Sequence, residues 1–182
     1  MKKNDFLALM QPSIIQYGWT VLAMEDVSLK LGLDKNYYLV IFKDGIPEIA
    51  DYYDQIMDLE MISRLSDLEK PSKIRHKISL AVKTRLKLMS KVSRSLSRKS
   101  LWNTADVIWK YAGDESTDFN YYTKRAILSL VYTMSFRHYL KSNSDESIDE
   151  YVDNVIDMVL KIFSIKSKLP KLQDIPILRM FS

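Results

Sequence analysis

The 182-residue chain carries four glycines, at positions 18, 32, 45 and 113, and each falls where an apolar-periodic segment ends. Glycine commonly closes a helix through a left-handed turn. Four such stops, with Lys/Asp/Ser-rich breaks between the segments, predict helices throughout. The one strand-like run is YYLVIF at 37–42, and its flanking turn signals make a short buried helix an equal reading. At 47% hydrophobic residues the chain has enough apolar content for a core, which excludes disorder as its dominant state. With no cysteine it has no disulfide scaffold, thiolate nucleophile or Cys-ligated metal.

The periodicity places a first helix over residues 4–17, with Phe6, Met10 and Ile14 on one face and Pro12 as an early break. Thr20 caps a second helix that ends at Gly32. A short third helix covers 35–42 and closes in the turn 43–45. Pro47 opens a fourth helix, where its missing N–H costs nothing. Ile49, Tyr52, Ile56, Leu59 and Ile62 form its expected inner stripe. Pro71 opens a fifth helix with Ile74, Ile78, Ala81, Val82, Met89 and Val92 inward. The Ser/Lys/Arg-rich stretch 90–100 reads as a mobile joint. Helices then follow over 102–111, stopped at Gly113, and from Ser116 or Thr117 onward, with 126–136 apolar nearly all round and central. A last helix has a capping-box spacing at Ser147 and Glu150, with Ile148, Val152, Val155, Val159 and Ile162 inward and Asp149, Asp153, Asp157 and Lys161 outward.

Charge is unevenly distributed. Residues 70–99 hold seven Lys and four Arg and no acid, while the rest of the chain holds sixteen basic and 23 acidic side chains. Such a segment suits nucleic acid, an anionic lipid surface, an acidic protein, or simply a solvated helix face.

Catalytic signatures are missing. His76 and His138 are the only histidines, and no H-E-x-x-H, E-x-x-H, phosphate-binding glycine loop or G-x-S-x-G elbow occurs. His138 reads as a structural histidine. Asp114, Glu115 and Asp118 look like paired carboxylates, but a helix start alone accounts for them. No run reaches the roughly 20 apolar residues of a membrane span. Without a signal or transit pattern at the start, the expectation is a cytoplasmic protein.

The unit from Thr20 to Gly45 (helix, tight turn, short helix) resembles the N-terminal part of TetR-type regulators. Residues 1–66, however, hold six basic against ten acidic side chains. The would-be recognition helix offers Lys35 as its one cation, which serves duplex phosphates poorly. The reading is an all-α, TetR-like helical bundle with a degenerate helix-turn-helix at 1–66, a helical ligand-binding domain at 67–165 and a basic, apolar tail at 166–182. No nucleic acid is expected as partner. A ligand-responsive TetR-type transcription regulator is the alternative.

Trp109 to Arg125 reads WKYAGDESTDFNYYTKR. This resembles the W-x-x-A-G-D-x-S-T-D-F-N-W-Y-T-[KR]-R signature of a coenzyme Q (ubiquinone) biosynthesis family, that of the ninth Coq protein. Gly18-Trp19-Thr20 and the stretch from Ala81 to Leu86 extend the likeness. The resemblance implies a TetR-like, often dimeric protein without enzymatic activity or cofactor of its own. It implies binding of an isoprenoid quinone or other lipid and support of a membrane-bound di-iron hydroxylase of the quinone ring. The matching partner-binding patch is Asp106, Ile108, Trp109, Asp118, Tyr121, Tyr122 and Arg125. Within it Trp109, together with neighbouring Phe119, is expected mostly in the core and Tyr121 and Arg125 mostly on the surface. Lipid-lining candidates are Ile127, Leu130, Val131 and Met134, with Val155 and Val159 opposite. A membrane contact peripheral to the inner membrane is expected from Lys166, Lys168, Leu169, Lys171, Leu172, Ile177, Leu178 and Phe181, with the basic helix also facing the anionic leaflet. Three departures stand out: Tyr121 replaces the family's usual Trp, the stretch 86–102 is short, and Pro176 interrupts the tail.

Overall fold

The computed structural model describes residues 1–92, 94–117 and 119–166, with side chains to residue 161. Among them are eight helices and no strand: α1 Lys3–Tyr17, α2 Val21–Lys30, α3 Tyr38–Ile41, α4 Ile46–Ser66, α5 Ile74–Lys87, α6 Arg98–Ala112, α7 Phe119–Tyr139 and α8 Asp145–Lys166. The fold is an all-α, TetR-like bundle. Helices α5 to α8 pack on one another, α4 lies against α5 and α6, and α1 to α3 form the N-terminal unit.

Several boundaries differ from the sequence reading. Helix α1 runs through Pro12, which faces solvent. The third helix is a single turn, with Tyr38 and Phe42 buried but Leu39 and Val40 exposed. Pro71 lies three residues before α5, whose N-cap is Lys73. The last helix is capped by Ser144, whose Oγ accepts from the Ser147 amide, so Ser147 sits at the third helical position. Helix α7 is not buried all round, because Leu130 is exposed. On α4 the inner stripe is Ile49, Tyr53, Asp54, Asp58, Met61 and Leu65, while Leu59 is 68% exposed. Two aspartates on the buried face hid that stripe from the apolar pattern.

Those aspartates receive a cation from the basic segment. Arg85 is fully buried, with Nε 2.7 Å from Asp58 Oδ1 and Nη2 2.9 Å from Asp54 Oδ1. Thr104 of α6 donates to both oxygens of Asp58. Arg94 also pairs with Asp54, and its guanidinium lies over the rings of Trp19 and Tyr53. The stretch after α5 is thus pinned at Arg94 rather than free, which corrects the mobile-joint expectation for that point.

The outward acids of α8 are also used. Lys87 pairs with Asp149, Lys83 with Asp153 and Arg75 with Asp157, forming a ladder between α5 and α8. Lys99 pairs with Asp51. The uneven charge of the sequence is therefore largely compensated inside the molecule: α5 and the segment after it supply cations to the acids of α4 and α8. The basic helix thus spends much of its charge on the acids of α4 and α8. His138 packs flat on Tyr151 at 4.0 Å, joining α7 to α8 as a structural histidine does.

Candidate functional site

The signature folds into the α6–α7 hairpin. Ser97 caps α6 by accepting the Ser100 amide at 2.9 Å. The helix ends at Gly113, whose φ of +92° is the left-handed region that glycine enters without a Cβ penalty. The Gly113 amide bonds Lys110 O and the Asp114 amide bonds Trp109 O, both at 3.0 Å, which closes the last turn. This reversal carries Asp114 back beneath α7.

Asp114 becomes the centre of a buried polar clasp. Its side chain is 3% exposed, and its carboxylate meets Lys124 Nζ at 2.6 Å and Arg125 Nη1 at 2.9 Å. Ser116 Oγ also donates to it, which spends the hydroxyl that the sequence offered as a helix cap. Arg125 Nε reaches Asp106 Oδ1 at 2.7 Å, and Tyr121 donates to the same oxygen at 3.1 Å. The Arg125 guanidinium stacks 3.4 Å from the Tyr121 ring centre. Burial works against the ionised form of Asp114, but Lys124, Arg125 and Ser116 outweigh it and hold the carboxyl well below the usual range. Asp106 follows the same logic: burial opposes its charge, while Lys110, Arg125 and Tyr121 win and keep its carboxyl below the ordinary value.

Outside the clasp lies an aromatic cluster. Tyr121 and Tyr122 meet edge to face at 5.2 Å, and Trp102 of α6 lies about 6 Å from both. Tyr122 is 60% exposed, and Phe119 of the same hairpin is 81% exposed.

Behind the hairpin an apolar cleft of about 290 Å³ opens between α5, α6, α7 and α8. Ile74 and Ile78 of α5, Trp109 of α6, Ile127, Leu128 and Val131 of α7, and Ile156, Val159 and Leu160 of α8 line it, with Arg75 at its edge. Trp109 belongs to both features: its ring lines the cleft and its Nε1–H donates to Lys124 O at 2.9 Å. The volume lies at the small end of the roughly 300–1,000 Å³ typical of ligand pockets.

Against the sequence reading, Ile127, Val131 and Val159 line the cleft, whereas Leu130 faces solvent and Met134 and Val155 are not among its walls. Residue 130 is turned about 100° per step away from the cleft stripe 127, 128 and 131 on a helix of 3.6 residues per turn. Of the patch, Ile108 is fully buried and Arg125 is 1% exposed, so neither presents a surface. Arg125 is drawn inward by two carboxylates, and Phe119, expected inside, lies outside. Tyr121 is half-buried against Arg125. Asp118 lies outside the described residues, as do the side chains of the tail positions from Lys166 to Phe181. Trp102, Leu128 and Arg75 escaped the sequence reading as site residues, and Phe119 entered it only as core; the aromatic content of the hairpin and its flank was the available signal for Trp102 and Phe119. Among the described residues no group of three or more acids or histidines can hold a metal, and no helix is long and apolar enough to cross a membrane.

Comparison with known proteins points one way. A family model described as COQ9 matches residues 94–162. The probable ubiquinone biosynthesis protein coq9, mitochondrial, of Dictyostelium discoideum is 27% identical over 180 residues, covering 84% of this chain and 58% of that protein. The Homo sapiens ubiquinone biosynthesis protein COQ9, mitochondrial, is 28% identical over 160 residues, covering 74% and 49%. COQ9-A of Xenopus laevis is 40% identical over 55 residues, covering 30% and 17%. The chain spans about half the length of the first two relatives.

Proposed function

Because residues 94–162 match the COQ9 family model and proteins named COQ9 are 27–28% identical over 74–84% of this chain, we propose that it serves ubiquinone biosynthesis as a non-enzymatic accessory protein. It holds part of an isoprenoid lipid in the α5–α8 cleft and presents it, at a membrane surface, to a di-iron hydroxylase of the quinone ring docked on the aromatic face. A polyprenylated quinone is almost insoluble in water. Each buried CH₂ is worth roughly 0.8 kcal/mol, so an apolar cleft competes with the bilayer for part of the chain. The observation that carries this reading is Trp109, whose ring lines the cleft while its indole N–H is bonded into the hairpin under the aromatic face.

Purification under native conditions, lipid extraction and mass spectrometry test the first half. Isoprenoid quinones or their precursors are expected to co-purify. A lipid-free, folded protein that takes up no quinone analogue would remove the cleft from the function.

Tyr122→Ala tests the docking half. An exposed aromatic at the centre of an interface is commonly worth 2 kcal/mol or more. Capture of the organism's own hydroxylase by the variant is expected to fall about tenfold or more, with helicity unchanged. Undiminished capture would take the aromatic face out of the reading.

A further inference from the structure

The apolar cleft shares one lining residue, Arg75, with a second depression. This neighbour, of about 280 Å³, is lined by Arg75, His76, Ser79, Leu80, Lys83 and Asp153. Arg75 lines both, so its guanidinium stands where apolar wall gives way to polar wall. Arg75 is also the one charged residue among the described lining of the cleft.

The polar depression has donors to spare. Its one carboxylate, Asp153, is engaged at both oxygens, Oδ1 by Ser79 at 2.6 Å and Oδ2 by Lys83 at 2.7 Å. Arg75 spends Nε and Nη2 on Asp157 Oδ1, at 2.8 and 2.7 Å. A guanidinium has five N–H donors and an ammonium three. Nη1 of Arg75 and two hydrogens of Lys83 are thus left over on residues that line a depression whose one carboxylate is already engaged.

Resting on the reading of the cleft as a lipid site, we propose that Arg75 recognises the head of the bound molecule. The ligand class is a single-chain amphiphile with acceptor oxygens at the end of its chain, such as phosphate, carboxylate or ring carbonyl. A water's share of liquid volume is about 30 Å³. A methylene is of similar size, so the cleft takes on the order of ten carbons, and the chain's junction with its head lies over Arg75. The guanidinium fork then bonds the oxygens from Nη1 while Asp157 holds its other edge.

The test is calorimetric titration of the 182-residue chain with decyl phosphate, decyltrimethylammonium and inorganic phosphate. Decyl phosphate is expected to bind at least about tenfold more tightly than the cationic compound, which has the same chain but no acceptor. Inorganic phosphate alone is expected not to bind. In Arg75→Gln the preference should collapse to within about twofold, with decyltrimethylammonium affinity unchanged and helicity intact. Asp157→Asn removes the negative charge that competes with the head for the guanidinium and should strengthen decyl phosphate binding. That opposition is decisive, because a merely structural ion pair would make both variants change affinity in the same direction. Equal binding of the two heads, a preference surviving in Arg75→Gln, parallel effects of the two variants, or inorganic phosphate binding as well as decyl phosphate would each overturn the assignment. If neither decyl compound binds, the cleft reading fails and this assignment falls with it. If both bind equally, the cleft reading stands and head recognition alone is lost.

Discussion

Arg85→Ala is expected to destabilise the protein by about 3–5 kcal/mol, because it leaves the carboxylates of Asp54 and Asp58 buried without their shared cation. At about 2–4 °C per kcal/mol for a chain of this size, the melting temperature should fall by roughly 6–20 °C. The expectation rests on depth. Arg85 is wholly inside, and its partners come from α4, 27 and 31 residues away in sequence. The neighbouring groups cannot substitute: Arg94 already serves Asp54, and Thr104 offers Asp58 hydrogen bonds without charge. Burial pushes the phenol of Tyr132, whose ring lies against the Arg85 guanidinium, up to about 12, so it offers no charge in exchange. The ladder pair Lys87–Asp149 provides the control. Both side chains are half in solvent, and such pairs are worth about 0–1 kcal/mol. Urea titration of Arg85→Ala beside Lys87→Ala separates the cases, and equal losses would contradict the assignment of Arg85 as the charge that joins α4 to α5.

Asp114→Asn is the second large effect and has a signature in pH. In the native protein the carboxyls of Asp114 and Asp106 are held below their ordinary values, against the burial that opposes their charge, by the cations and donors around them. A depressed folded value means that the stabilisation is fully present above the unfolded carboxylate value of about 3.9 and is lost as pH falls through the folded values. The wild-type protein should therefore lose stability steadily as pH drops below about 4. The asparagine variant starts lower at neutral pH, by about 3 kcal/mol for a broken buried pair, because Arg125 keeps only Asp106 as a charged partner and Lys124 loses its own. It should then lose less on acidification, since one of the two depressed carboxyls is gone. Denaturant midpoints measured from pH 7 to pH 2 check this. Parallel acid limbs for the two proteins would exclude Asp114 as the anchor of the clasp. Because Tyr121 stacks directly on the Arg125 guanidinium, the same variant should also loosen the aromatic face. Tyr122→Ala, by contrast, changes that face without touching the clasp.

Much of the architecture was legible in the residue order. Pro47 near the start of α4 and Gly113 at the end of α6 are local signals, read correctly because each acts through its own backbone; Thr20 stands at the N-cap position of α2, but its hydroxyl bonds Tyr17 O instead of capping the helix. The alternation of Val152, Val155 and Val159 with Asp149, Asp153 and Asp157 likewise declared the inner face of α8. Where periodicity misled, charge was the cause. On α4 an apolar rule selected Leu59, which is exposed, over Asp58, which is buried. On α5 it counted Arg85 among solvated cations. In the signature it sent Arg125 outward.

The sequence by itself determined the helices, their punctuation, the all-α class and, through WKYAGDESTDFNYYTKR, the likeness to the COQ9 family. Only the tertiary structure decided which charges are interior, that the basic stretch serves α4 and α8 of its own chain, that Phe119 joins the outer aromatic face, and that Trp109 and Arg75 border one cleft. Capping and apolar periodicity act over a few residues, where sequence spacing is spatial spacing. Burying a charge is tolerable only when an opposite charge meets it, and here those partners arrive from positions 11 to 40 residues away. No local pattern records that meeting, which exists only once the helices have packed.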